Sequence, residues 1–352
     1  MTERIYLDHA ATTPIRPEAS AAMQEGFAIW ANPSSPHAEG RKAKQALEDA
    51  RARVKKALGW DGEVIFTSGA SEAAAIAVGQ VQAGRKAVSE IEHDAVFLNG
   101  PGSYDAVLPA QSDGSFDRSD IYQAVGAVGM DPAERDWRTL VCIQQVNSET
   151  GAQLQFAKAQ RILANFDVLT LSDCSQSASK LELPDADMVI VSAHKLGGPI
   201  GIGALLVRDY ALLHPTGGHE RGYRRGTENL PAAMGFAAAL EASDWQTSAA
   251  QRAAFYDGFG DARLKFTDQV DFIGAITHPT LSAQALLIRL DAMGIAVSAG
   301  SACSSGTLKK SRVLDAFGVD DAVAARTIRV SLGWNTTPQE LERFAEAWVS
   351  LT

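Results

Sequence analysis

The stretch RKAKQALEDARARVKKAL at 41–58 carries its apolar side chains at helical spacing. Ala43, Ala46, Leu47, Ala50, Val54, Ala57 and Leu58 fall on one face, and Gly59 supplies the stop. Asp49 and Arg53 are placed to pair on the opposite face. After this helix come short β-rich runs: EVIFT (63–67), KAVSE (86–90), DAVLP (105–109), TLVCIQQV (139–146), DVLTLS (167–172) and DMVIVS (187–192). Several are apolar throughout, as strands covered on both faces tend to be. Most are far enough apart to admit a crossover helix, so the pattern predicts an α/β chain with a mostly parallel, doubly wound sheet. IGALLVR (202–208) follows DMVIVS after only a Gly-rich turn, which predicts an antiparallel neighbour.

Past about residue 245 the pattern changes to a smaller α+β unit. A polar helical stretch (246–266) leads to VDFIGAI, then to the helix SAQALLIRLDAMG, then to IAVSAG and TIRVSLG. The last helix is marked by a capping box of Thr337 and Glu340, with Pro338 at its first position. Leu341, Phe344, Ala345 and Trp348 are expected to form its core face.

Composition narrows the classes. A chain of 352 residues supports about two domains, each with its own core. A formal charge of −10 argues against a general nucleic-acid binder, because phosphate backbones attract basic surfaces. The apolar content of 46% is too high for a disordered chain. No apolar run approaches the roughly 18 residues of a membrane span, and no signal-peptide core opens the sequence. Three scattered cysteines do not form a disulfide framework, so a reducing cytoplasmic setting is expected, with no membrane and no nucleic-acid partner.

In an open α/β sheet ligands sit beyond the carboxyl ends of the strands, so the residues after each strand are read first. EVIFT is followed by Ser68-Gly69-Ala70-Ser71-Glu72, a glycine turn opening a helix. Its free N–H groups could hold an anion such as phosphate, although many helices simply start this way. DVLTLS is followed by Asp173 and Gln176, and DMVIVS ends at Ser192 with His194 and Lys195 after it. Lys195 could bind phosphate, be merely solvated, or form a Schiff base. The carboxylate at a neighbouring strand end favours the last, since pyridoxal phosphate needs an acidic partner for its ring nitrogen. Cys303 stands in a loop of small residues not built to bury it, whereas Cys142 lies in an apolar strand and Cys174 reads as a packed thiol beside the site.

Together the motifs become recognisable. YLDHAATTP (6–14), NPSSPH (32–37), FTSGASEA (66–73), EHDAV (92–96), QVNSETG (145–151), SDCSQS (172–177), SAHKLGGPIGIGAL (192–205), RRGTEN (224–229), SAGSACSS (298–305) and IRVSLG (328–333) occur in this order. The chain resembles the cysteine desulfurases of the class V aminotransferase group, from residue 6 to about 345.

The resemblance implies a homodimeric fold-type-I pyridoxal 5'-phosphate enzyme with a seven-stranded sheet. It divides into an N-terminal segment (1–15) packed near the small domain, a large cofactor domain (16–245) and a small domain (246–352) carrying the Cys303 loop. It makes Lys195 the lysine that holds the cofactor covalently, Asp173 the partner of the pyridine nitrogen and Gln176 the partner of the phenolic oxygen. His93 would stack on the ring and move protons. Ala70, Ser71, Ser192 and His194 would cradle the phosphate, completed by Thr227 from the partner subunit. Asn147, beside the cofactor, and Arg329 would hold the substrate carboxylate. L-cysteine would be the substrate, Lys195 the base and the Cys303 thiolate the group that takes the sulfur. L-alanine would be released, and the Cys303 persulfide would be passed to an acceptor protein. No metal is expected.

The sequence also departs from the pattern. Ile200 stands in GPIG where the group usually has lysine, and Ala74 and Ala75 replace an asparagine pair. The sequence ends at Thr352, soon after the last helix, whereas better-known members continue into an extension that contacts an iron–sulfur scaffold. The loop after Cys303 resembles the subgroup that delivers sulfur to several acceptors. Other readings are a class V aminotransferase or lyase acting on another amino acid, or a non-catalytic cofactor-binding scaffold.

Overall fold

The computed structural model describes residues 4–98, 104–126, 138–299 and 311–352. The chain opens with β1 (Ile5–Tyr6), α1 (Pro17–Ala28), α2 (Ala38–Leu58), β2 (Glu63–Thr67), α3 (Ala70–Gln80), β3 (Arg85–Ser89), α4 (Asp94–Phe97) and β4 (Ala106–Leu108). It continues through α5 (Arg118–Ala124), β5 (Thr139–Cys142), α6 (Phe156–Leu163), β6 (Val168–Asp173), β7 (Met188–Ser192), β8 (Gly203–Val207) and α7 (Leu230–Glu241). The rest is α8 (Ala249–Asp257), β9 (Ile273–Thr277), α9 (Ala283–Ala292), β10 (Ile295–Ala296), α10 (Arg312–Ala316), α11 (Asp321–Ala324), β11 (Thr327–Ser331) and α12 (Pro338–Leu351). None of these helices is long and apolar enough to cross a membrane.

Seven strands form the central sheet, in the order β2-β8-β7-β6-β5-β3-β4. All pairs are parallel except those of β8, which runs antiparallel to both β2 and β7, as its short connection predicts. Side chains alternate between two buried faces. Val64 and Phe66 of β2 and Val189 and Val191 of β7 join the cluster that α1, α2 and α7 cover. Ile65, Met188 and Ile190 join the opposite cluster, under α3. Burial on both faces is why these strands read as unbroken apolar runs.

A third cluster gathers β9, β11, α9 and α12 with the N-terminal Ile5 and Leu7. There β1 pairs in parallel with β10, and β9 pairs antiparallel to β11. The Thr337–Glu340 capping box is present on α12.

Three sequence expectations are corrected. On α12 it is Ala347, not Ala345, that is buried with Leu341, Phe344 and Trp348. On α2, Ala57 is exposed and Arg51 is buried instead. Arg53 pairs with Glu241 of α7 at 2.6 Å rather than with Asp49, because α7 brings its carboxylate within reach of the guanidinium fork. Arg51 is buried because Glu220 meets it at 2.7 Å, and Glu220 also accepts from the Phe66 N–H at 2.9 Å.

Candidate active site

Parallel pairing puts the carboxyl ends of β6 and β7 side by side, so Asp173 and Ser192 finish at the same edge. A single 3₁₀ turn, Ala193–Lys195, then carries His194 and Lys195 over that edge. The Lys195 Nζ donates to the carbonyls of Ala10 and Ala11 at 2.6 and 2.7 Å. Gln176 Nε2 donates to the same Ala10 carbonyl at 3.0 Å. Backbone of the N-terminal segment therefore fixes both side chains.

Burial lowers the Lys195 amine to a pKa of about 8; Arg329 pushes the same way, while Asp173 and Asp8 oppose it. Burial and then the Lys195 charge hold His194 down at about 4, so its ring is neutral near pH 7. Its Nδ1 lies 3.2 Å from Thr12 Oγ1. Asp173 is buried, and its Oδ1 accepts from the Ser175 N–H at 2.9 Å.

On the other side of β8, Gly69 precedes α3 with φ +149°, a conformation that favours glycine. A methyl group on Gly203 would come within 2.9 Å of Gly69 Cα and 2.6 Å of the Val191 carbonyl. Glycine at both positions lets the turn close onto the strand end. Ala70 and Ser71 then present the first-turn N–H groups of an 11-residue helix, donors that have no partner within it.

Arg329 lies on β11, buried, with Nη1 donating to the Ser148 carbonyl at 3.1 Å and Nη2 to Asp8 Oδ1 at 2.8 Å. Its Nε has no partner among the described residues. Asn147 is buried beside it, and its amide is largely committed. Oδ1 accepts from Glu149 N, Thr150 N and Thr150 Oγ1, and Nδ2 donates to the Ile91 carbonyl at 3.2 Å. Any contact Asn147 makes with a ligand must use the remaining N–H.

His93 is exposed and caps α4, its Nδ1 accepting from the Ala95 N–H at 3.0 Å. The neutral ring therefore carries its proton on Nε2. Thr227 is also exposed, on a cleft of about 400 Å³ lined with Phe27, Trp30 and Pro231, and Lys195 does not line that cleft. Cys303 lies outside the described residues. Cys142 and Cys174 are fully buried thiols pushed up by burial, Cys174 to about 12, so neither supplies a thiolate near pH 7.

Sequence reasoning did not assign Asp8, which holds Arg329, although it sits inside YLDHAATTP. It also passed over Lys180, whose Nζ donates to the Gln176 carbonyl at 3.0 Å and lies 4.8 Å from the Phe272 ring centroid.

Among the described residues, Ser192 Oγ, Ser175 Oγ and Gln176 Oε1 are buried at this edge without a partner. Orphaned buried donors and acceptors are uncommon without a function. With an anion-ready helix start, a buried carboxylate and an amine of lowered pKa, they form a pocket edge suited to an anionic, aldehyde-bearing heteroaromatic.

Comparison with known proteins identifies the family. The Aminotransferase class-V family matches residues 5–344. An "IscS-like cysteine desulfurase" of Mycobacterium tuberculosis is 32% identical, covering 97% of this chain and 94% of that protein. "Cysteine desulfurase IscS" of Dictyoglomus turgidum is 31% identical over 97% of this chain and 92% of its own. Among solved structures, a NifS-like protein from Rickettsia africae superposes with a TM-score of 0.85 at 26% identity, over 99% of both chains. "SspA in complex with cysteine" gives 0.78 at 28% identity, over 95% of this chain and 100% of its own. On this full-length match, and with a lysine, a carboxylate and an anion-accepting helix start at adjoining strand ends, the chain belongs to the class V aminotransferase family.

Proposed function

We propose that this protein is a pyridoxal-phosphate-dependent cysteine desulfurase. The net reaction turns L-cysteine and the Cys303 thiol into L-alanine and a Cys303 persulfide, breaking the substrate C–S bond and forming an S–S bond. The observation that carries the reading is the convergence of Lys195, Asp173 and Gln176 at adjoining strand ends, in a chain matched over its length by relatives named cysteine desulfurases.

Bound here, the cofactor would supply an electron sink for the bonds around the substrate α-carbon. Ala70, Ser71, Ser192 and His194 would hold its phosphate and Thr227 of a second subunit would complete the cradle. Asp173 would face the ring nitrogen, and Gln176 would offer the phenolic oxygen the second N–H of its Nε2, the first being given to the Ala10 carbonyl.

The remaining roles belong to the chain's own side chains. Lys195, with its amine near pKa 8, has a usable neutral fraction at physiological pH and acts as the base toward the α-proton. Arg329 receives the substrate carboxylate on its free Nε edge, while Asp8 and the Ser148 carbonyl keep the guanidinium in place. His93, whose Nδ1 accepts from the Ala95 N–H, leaves Nε2 as the ring atom that holds or moves a proton toward the substrate. Cys303 accepts the sulfur as a thiolate and passes it to an acceptor protein.

The protein works as a homodimer with a large unit over 16–245, a small unit over 246–352 and the segment 1–15 joining them. The exposed Phe27 and Trp30 beside Thr227 provide the apolar surface for that contact.

The test is alanine and sulfide release from L-cysteine with a thiol reductant present. Equal yields are expected from the wild type. Cys303→Ala should stop persulfide formation while the cofactor's visible spectrum still changes on adding cysteine; Lys195→Ala should lose both. Sulfide release undiminished in Cys303→Ala would overturn the desulfurase assignment.

A further inference from the structure

Three consecutive backbone carbonyls precede His93, and each is held by a side chain from elsewhere in the fold. The Ile91 carbonyl accepts from Gln144 and from Asn147. The Glu90 and Glu92 carbonyls both accept from Arg312, the first residue of α10. The same guanidinium reaches past His93 to Asp94 Oδ1 at 3.0 Å and lies 3.9 Å from the Phe97 ring centroid. One side chain, more than two hundred residues away in sequence, thus touches the chain before and after His93.

Arg312 is itself well anchored. Val313 of α10 and Phe317 just after it are buried in the cluster of the large sheet, and Ser311 donates to Glu149 Oε2 at 2.6 Å. His93, in contrast, is exposed, and its only side-chain bond to a described residue is the local cap to Ala95. Its imidazole direction therefore follows the turn at 90–94, and that turn is tied down by Arg312.

We propose that Arg312 is the positioning residue for His93, fixing the turn that aims the imidazole at the cofactor. The proposal rests on the reading that His93 works in the desulfurase site. A guanidinium spreads five donors over a rigid plane and so reaches two carbonyls and a carboxylate set apart from one another; a lysine ammonium gathers its three donors at one atom. Among the described residues Arg312 touches none of the groups assigned to the reaction, and its bonds to Glu90, Glu92 and Asp94 all lie on the turn that carries His93.

A double-mutant cycle on alanine formation tests this. Arg312→Gln should lower kcat by about tenfold or more, with a much smaller change in KM, as misplacement of a catalytic group does. In a His93→Ala background the same substitution should change kcat by no more than about twofold. Equal losses in both backgrounds would overturn the proposal.

Arg312→Lys keeps the charge and the aliphatic stem, so it serves if the glutamine variant fails to fold, and it should fall between wild type and Arg312→Gln. A second readout needs no turnover: amide hydrogen exchange at Ala95, Val96 and Phe97, whose N–H groups bond to His93. Exchange there should quicken in either Arg312 variant relative to the sheet strands, and unchanged exchange would refute the brace. If the wild type made no alanine from cysteine, the functional reading would fall while the exchange result still decided whether Arg312 holds the turn.

Discussion

Lys195 illustrates how a single position acquires its chemistry. The ammonium is stripped of most of its water and faces Arg329, and the two nearby carboxylates, Asp173 and Asp8, only partly compensate. Burial disfavours the charged form of an amine, so its pKa falls from 10.5 to about 8. The neutral fraction should therefore rise about fivefold between pH 7 and pH 8 and level off above pH 9. Covalent capture of pyridoxal phosphate by the cofactor-free protein, trapped with borohydride and mapped to Lys195, should follow that curve. A capture rate still climbing steeply at pH 10 would show that the ammonium is not destabilised as the geometry requires. The type and strand-end position of Lys195, Asp173 and Gln176 were legible in the sequence. Asp8 and Arg312 were not, because what they do depends on partners brought close only by the tertiary fold.

At the level of elements, the central strands were legible because several are apolar through their length and both faces are covered. Boundaries moved where one side chain decides them. The helix read from residue 41 begins at Ala38, since the His37 side chain accepts from the Gly40 N–H and caps it early. Arg51 is absent from the buried face that periodicity picks out, because periodicity counts arginine as polar, whereas Glu220 gives it a buried partner. Cys303 was readable from its motif and lies outside the described residues.

The turn carrying Asn147 shows how tightly elements constrain the site. Gly151 closes it with φ +74°, donating to the Asn147 carbonyl at 3.0 Å, and a methyl group there would overlap the Ile273 carbonyl of β9. Gly294, after α9, also has positive φ (+80°) but nothing within 4 Å of a methyl group. Gly294→Ala should cost about 1–2 kcal/mol, the backbone strain alone. Gly151→Ala should cost about 2–4 kcal/mol, strain and overpacking together, and should also raise KM for cysteine. Urea unfolding of the two variants compares them directly, and equal costs would mean that β9 gives way more easily than its place in the small sheet suggests.

Over the whole molecule, the proposed function makes the catalytic edge a shared one, incomplete within one chain. Lys195, Asp173 and the α3 turn assemble at the strand ends, yet Thr227 faces outward on a cleft lined by the exposed Phe27 and Trp30. Two large aromatic side chains left in water beside a polar loop are what contact with another chain would cover. On the homodimer reading, that contact brings each Thr227 to the phosphate of the other subunit, so every site combines Lys195 of one chain with Thr227 of its partner. Complementation then follows from symmetry. Lys195→Ala homodimers should be inactive, and Thr227→Glu homodimers should be crippled, since each cradle then sets a carboxylate against the phosphate. A heterodimer of the two gathers both defects into one site and leaves the other intact, so it should recover about half the wild-type rate per dimer. The mixture would be unfolded mildly, refolded together and assayed after separation by tag. Recovery no greater than the sum of the parents would mean that Thr227 serves its own subunit's site, and the exposed aromatics would then need another explanation.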